Sequence, residues 1–339
     1  MRCHTRSPRP DGHSTIFHPR TLPLLTRALL LGLSVADALG VPVEFESRED
    51  LSKDPVTGVR GFGTYDQPPG TFSDDSTMAF CLAETIVKSG GTLPLDYRDL
   101  ADRYIAWCDR GYWTPHGERF DIGRITWAAI QRMRDPSQDL IKAGGRGEYD
   151  NGNGSLMRIL PLVTLTRKLD DPHEKLRLVG EVSAMTHGHA RSVLCCLYYL
   201  LLAERVTEGE VLAQAYTSAN AELRDVYLAA YPSLAAEAPH LGPLLDGSIA
   251  EVPEGKIYGD GYVVNCLKAS IWCLFQTDSY EAAVLRAINL GEDTDTTAAV
   301  TGGLAGLLYG EAAIPAAWRE ALVRRGDVEE LAGRLARVA

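Results

Sequence analysis

The sequence predicts an all-α protein. Apolar residues recur at helical spacing along several stretches, and convincing period-two alternation is scarce. No hairpin pair or strand–helix–strand succession stands out, which argues against a Rossmann or barrel architecture. The 339 residues are 45% hydrophobic, 23% charged and 8% aromatic, values that exclude disorder, collagen or coiled coil as a description of the whole chain. No internal repeat is evident.

In chain order, residues 1–25 read as a flexible basic arm and 26–339 as one helical domain. The first stretch is rich in Arg, Pro, His and Ser, with five arginines against Asp11 alone over residues 1–27. The arginines followed by Ala28–Val35 and Ala36-Asp37-Ala38 imitate a secretory signal. Pro23 and Arg27 interrupt the apolar approach, however, and cleavage would remove Asp37 from a motif taken up below. From Asp75 to Lys88, Met78, Cys81, Leu82 and Ile86 share one helical face; Ser73 or Asp74 can cap it and Gly90 stops it. Gly61–Phe72 and Gly144–Gly154 read as loops. Val193 to Ala203 is apolar throughout, too short to span a bilayer and expected to be a buried helix. Val264, Leu267, Ile271, Leu274 and Phe275 form another stripe. Gly302, Gly306 and Gly310 recur every four residues and offer a smooth face to a neighbouring helix.

Acidic residues number 45 against 34 basic, a net charge of −11 that disfavours nucleic acid; no membrane association is expected either. The seven cysteines include no Cys-x-x-Cys and mostly sit in apolar stretches. They predict buried free thiols in a reducing, cytoplasmic setting, not a disulfide framework or a zinc site.

The chemistry concentrates in five segments. Ser73-Asp74-Asp75-Ser76 puts adjacent carboxylates at a helix start, where mutual repulsion favours a cation beside them. Glu292-Asp293-Thr294-Asp295-Thr296 repeats the arrangement far along the chain. Together they offer only hard oxygen ligands, which suit Mg²⁺, Ca²⁺ or Mn²⁺ and a two-cation site; two ordinary capped helices are the plain alternative. Asn151-Gly152-Asn153-Gly154-Ser155 permits positive φ and can cradle phosphate with its amides, or form a plain turn. Asp37 lies inside an apolar helix that ends in a turn delivering Glu44. Thr186-His187 precedes the buried helix.

These five segments, in this order, resemble the ADP-ribosylglycohydrolase family over about residues 26–311. The resemblance implies a compact helical fold holding two Mg²⁺ ions, with Mn²⁺ as a substitute, and hydrolysis of the glycosidic bond between ADP-ribose and a protein side chain. It implies metal ligands at Ser73, Asp74, Asp75, Asp293, Asp295 and Thr296. It places Gly152, Asn153, Gly154 and Ser155 at the ADP-ribose, His187 near the distal ribose or phosphate, and Tyr262 on the adenine. Asp74, Asp75 or Glu44 would be the catalytic carboxylate. Glu292 stands where the family has Gly, adding charge beside the site and favouring a cationic guanidinium, so that arginine is the expected linkage. The partner is then an ADP-ribosylated protein. The basic arm resembles that of immunity proteins which block an ADP-ribosyltransferase toxin by occlusion, a second role that could accompany or replace hydrolysis.

Overall fold

The computed structural model describes residues 22–339. Eleven helices of nine or more residues form its frame: α1 Leu22–Gly40, α2 Asp74–Lys88, α3 Tyr97–Arg110, α4 Arg124–Met133, α5 Pro172–Ala184, α6 Ala190–Thr207, α7 Leu212–Glu222, α8 Val263–Phe275, α9 Tyr280–Ile288, α10 Thr294–Tyr309 and α11 Arg325–Ala336. Among the described residues there is no β-strand, only three isolated bridges. The expected arm falls outside the described residues except for its last four, Leu22–Leu25, which belong to the first turns of α1.

Long and apolar enough to cross a membrane by composition, α1 instead has 89% of its apolar window buried inside the fold. It lies against α10, α2 and α11, and the contact with α10 is the closest. A Cβ on Gly32 would stand 2.5 Å from the Gly302 carbonyl oxygen, and one on Gly306 would stand 2.1 Å from that of Ala28. At the end of α1, a Cβ on Gly40 would meet the Asp295 Cα at 2.4 Å, and the Thr294 hydroxyl donates to the Gly40 carbonyl at 2.8 Å. The contact pairs run in opposite senses along the two chains, so the helices are antiparallel and the C-terminus of α1 reaches the N-terminus of α10.

The glycine stripe is thus real at Gly302 and Gly306 but does not include Gly310. That residue ends α10 at φ 84° with no heavy atom near its Cβ position. The apolar run from Val193 lies in α6, almost wholly buried. Cys81, Cys195, Cys196, Cys266 and Cys273 are buried and unpaired, as expected of thiols packed in apolar surroundings.

The close contact sets a stability contrast. Gly302→Ala should lower the unfolding free energy by about 2 kcal/mol or more, because the new Cβ would stand 2.3 Å from the Ala36 Cβ and 2.4 Å from the Gly32 carbonyl oxygen. Gly326→Ala, in an exposed first turn of α11 with open space around it, should raise it by up to about 1 kcal/mol. Denaturant unfolding of both variants checks this; equal effects would remove the role assigned to the contact.

Candidate active site

At the start of α2, the Ser73 hydroxyl accepts the Asp75 amide at 3.2 Å and donates to the Asp75 carboxylate at 2.8 Å. A second cap arrives from another helix. The buried Asp37 carboxylate of α1 accepts the Ser73 amide at 3.0 and 3.1 Å, the Ser76 amide at 3.0 Å and the Ser76 hydroxyl at 2.5 Å. These bonds and the helix dipole hold an anion that the apolar run of α1 would otherwise not tolerate. With the Ser73, Asp75 and Ser76 amides satisfied, the Asp74 side chain is left facing a cleft of about 320 Å³.

The start of α10 meets this group from the other side. Thr296 donates its hydroxyl to Asp75 at 3.3 Å, joining the two helix starts, and the Asp295 carboxylate accepts the Thr296 amide at 2.8 Å. Asn153 donates to Asp293 at 2.8 Å. Glu44 enters from the turn after α1, its carbonyl held by the Thr64 hydroxyl at 2.7 Å. Asp121 comes from the loop between α3 and α4. Two sets of three carboxylates result, each with oxygens within 4.8 Å of one another: Asp37, Asp75 and Asp295, and Glu44, Asp121 and Asp295.

Asp295 belongs to both sets. Burial, reinforced by Glu44 and Asp75, pushes its carboxyl well above the carboxylate range; burial with Asp121 and Glu44 does the same to Asp74, and burial with Asp37 and Asp74 to Asp75. Burial, with Asp121 and Asp293 adding to it, pushes Glu44 up to about 9, and burial pushes Asp37 up to about 6. Glu44 Oε2, Asp75 Oδ1 and Asp293 Oδ1 are buried with no hydrogen-bond partner. Unpartnered anionic oxygens on a purely oxygen donor set fit a hard divalent cation and do not fit zinc or copper.

Gly152, Asn153, Gly154 and His187 line the same cleft. Gly152 has φ −69°, so the expected positive φ is not why glycine stands there. At Gly154 the reason is proximity: a Cβ there would lie 2.8 Å from His187 Cε1 and 2.9 Å from Thr126 Oγ1, whereas one on Gly152 would come no nearer than 3.4 Å to His187 Nε2. Burial, then the Arg158 charge, lowers His187 to about 3, so its ring is neutral; its Nδ1 is 2.8 Å from the Thr186 hydroxyl. Arg158 is itself fully buried and supports the cradle from behind, donating to the carbonyls of Gly154 and Val182 and to the Tyr104 hydroxyl.

Three sequence expectations change. The Ser155 side chain turns away from the cleft, toward Ser183 at 3.0 Å and Cys196 at 3.4 Å. Tyr262 does not line the cleft: its backbone bridges Gly152, and its hydroxyl accepts Arg191 at 3.2 Å. The Glu292 side chain is exposed, and only its backbone ties into the site. Asp74, Asp293, Thr296 and Glu44 do line the cleft, with Asp75 and Asp295 behind them and Ser73 engaged with Asp75. Asp121 was not foreseen; it lies in an irregular loop with no spacing signal. A larger hollow of about 660 Å³, lined by Leu176, Val193 and Arg146, contains none of these carboxylates, and the chemistry lies in the smaller cleft.

The sequence profile of the ADP-ribosylglycohydrolase family matches residues 24–339. The chain belongs to this family. It is 30% identical over 315 residues to an ADP-ribosylarginine hydrolase Tri1 of Pseudomonas putida, covering 91% of this chain and 77% of that one. Similarity to the ADP-ribosyl-[dinitrogen reductase] glycohydrolase of Rhodospirillum rubrum is 26% identity, over 85% of this chain and 86% of the relative. A solved ADP-ribosylglycohydrolase-related protein complex contains a chain that matches with a TM-score of 0.75 and 29% identity, over 94% of this chain and 99% of that one. The chain is therefore a hydrolase of glycosidic bonds to ADP-ribose, and its substrate is an ADP-ribosylated protein.

The carboxyl cluster has a pH signature. Without cations, Asp37 and Glu44 titrate in the fold near 6 and 9, above the ~4 of an unfolded chain. The stability they contribute is complete below the unfolded values and is lost as pH rises through the folded ones. In chelator-treated buffer the melting temperature should therefore fall as pH rises from about 4 to about 9; a flat or rising profile would contradict the clustering.

Proposed function

We propose that this hydrolase releases ADP-ribose from arginine side chains and does so with Mg²⁺, for which Mn²⁺ can substitute. The observation that carries the reading is the pair of carboxylate sets sharing Asp295, with unpartnered oxygens, beside a cleft that also holds the Gly152–Gly154 cradle and a neutral histidine. Two relatives, 28% and 30% identical, carry the name ADP-ribosylarginine hydrolase, which supports arginine as the linked side chain.

Asp75 and Asp295 would hold the cations together with Asp74, Asp293 and Asp121 and the hydroxyls of Ser73 and Thr296. When bound, such cations supply Lewis-acid fixation of the vicinal ribose hydroxyls and offset the clustered negative charge. Gly152, Asn153 and Gly154 leave room for the ADP-ribose to lie flat on the backbone, and neutral His187 offers it a ring nitrogen without repelling or trapping a phosphate. Water attacks the anomeric carbon as its bond to nitrogen breaks. Asp74 and Glu44, which both line the cleft, are the carboxyls placed to take the proton of the attacking water and to return one to the departing guanidine nitrogen. The positive charge developing on the sugar is stabilised beside the remaining carboxylates.

The direct test is a panel of proteins modified on Arg, Ser or Cys, incubated with the protein in Mg²⁺, with released ADP-ribose measured. Release is expected from the arginine-modified protein, and preference for Ser or Cys would overturn the linkage. EDTA should abolish release, and Mg²⁺ at about a hundred times its Kd should stabilise the fold by roughly 2.7 kcal/mol. Asp295→Ala should reduce turnover by at least about 10²-fold with the helical circular dichroism intact, since it removes a ligand and not core volume. Wild-type turnover in that variant would sink the site.

A further inference from the structure

We propose that Phe45 is the specificity residue for the departing side chain: its ring is the face on which the guanidinium of an ADP-ribosylated arginine rests. This rests on the arginine-hydrolase reading above.

Phe45 follows Glu44 directly and lines the mouth of the cleft, yet it is 66% exposed. A large apolar ring left in water beside a buried carboxylate cluster is costly, and the backbone adds to the cost. Phe45 has φ 67°, in the left-handed region that bulky side chains avoid. It is held there from both sides. Its amide donates to the Glu292 carbonyl at 2.6 Å, the Glu292 amide donates to the Glu46 carbonyl at 2.8 Å, and Glu292 is also left-handed at φ 67°. Thr64 fixes the carbonyl of Glu44. The segment is thus pinned in a conformation that turns the ring outward, where it continues an aromatic bank: Phe45 to Tyr65 at 6.3 Å and Tyr65 to Phe120 at 5.1 Å between ring centroids.

The chemistry of that surface selects its ligand. It adjoins Glu44 and Asp121, where the bond to the sugar is cleaved, so it faces the acceptor side chain. An aromatic face next to carboxylates attracts a planar, weakly hydrated cation, and a guanidinium is both. A neutral serine hydroxyl is too short to cover the ring and carries no charge for it to attract.

The test compares Phe45→Ala, Phe45→Gly and Phe45→Tyr with the wild type. KM for ADP-ribosylarginine should rise roughly tenfold in the Ala and Gly variants and stay within about twofold in the Tyr variant, which keeps the ring. Free ADP-ribose, titrated calorimetrically in Mg²⁺, should bind all four proteins equally. Because Gly suits the left-handed backbone, Phe45→Gly should melt no lower than the wild type, which separates a lost contact from a damaged fold. An unchanged KM in Phe45→Ala and Phe45→Gly, with active wild type, overturns the assignment. A parallel loss of ADP-ribose affinity does so too, by moving the contact to the nucleotide. A wild type that leaves arginine-linked substrate uncleaved defeats the underlying reading, and the guanidinium contact with it.

Discussion

Where α1 crosses α10, backbone meets backbone with no side chain between, and that contact fixes the spacing of the carboxylates. Asp37 projects from α1 a short way before Gly40, and Asp295 lies in the first turn of α10 against Gly40. A separation wider by one methyl group would part Asp37 from Asp295. The α2 start is tied to the same frame twice, through Asp37 on its amides and through Thr296 on Asp75. The cluster is therefore a property of helix packing. Loops contribute only Glu44 and Asp121.

Such a cluster works against folding. Several buried acids crowd together, and unpartnered oxygens remain among them. Two helix N-termini converge on it, and their partial positive charge and free amides answer part of the repulsion. The rest is answered by protons when no cation is present, which is why so many of these carboxyls are displaced in the same direction. The opposite logic governs the cradle. There a buried Arg158 stands behind the cleft with only neutral partners, two carbonyls and a phenol, so no carboxylate pairs with its charge.

Much of this was legible in the sequence because helix starts advertise themselves. Ser73-Asp74-Asp75 and Asp293-Thr294-Asp295 combine capping residues with more carboxylates than capping requires, and the helical stripes after them mark direction and burial. Gly302 and Gly306 announced a close neighbour. The identity of that neighbour, Ala28 and Gly32 on α1, follows only from the tertiary fold. Asp37 was visible as an acid inside an apolar helix, a conflict that signals a partner without naming it. Asp121 had no periodicity to betray it. The turn at Gly152–Ser155 illustrates a second limit: its glycines were legible, but the physical reason for Gly154 was not, because the His187 ring that demands it is distant in sequence. Side-chain direction at Ser155 and Tyr262 likewise depends on what packs behind them, Cys196 in one case and Arg191 in the other.

The pairing of α1 with α10 also bears on how the chain comes to be made. Thr294 and Gly40 are 254 residues apart, so the helix that begins the described fold lacks its main partner until nearly all of the polypeptide has been synthesised. Until then one of the most apolar segments of the protein must wait, with its glycine face exposed to solvent or to a chaperone. Contacts of such sequence separation slow folding and lengthen the life of incomplete intermediates. No amino-terminal fragment that stops short of α10 can assemble the carboxylate cluster. A prematurely ended chain is thus left without the site, and hydrolysis begins only when the two ends of the polypeptide have met.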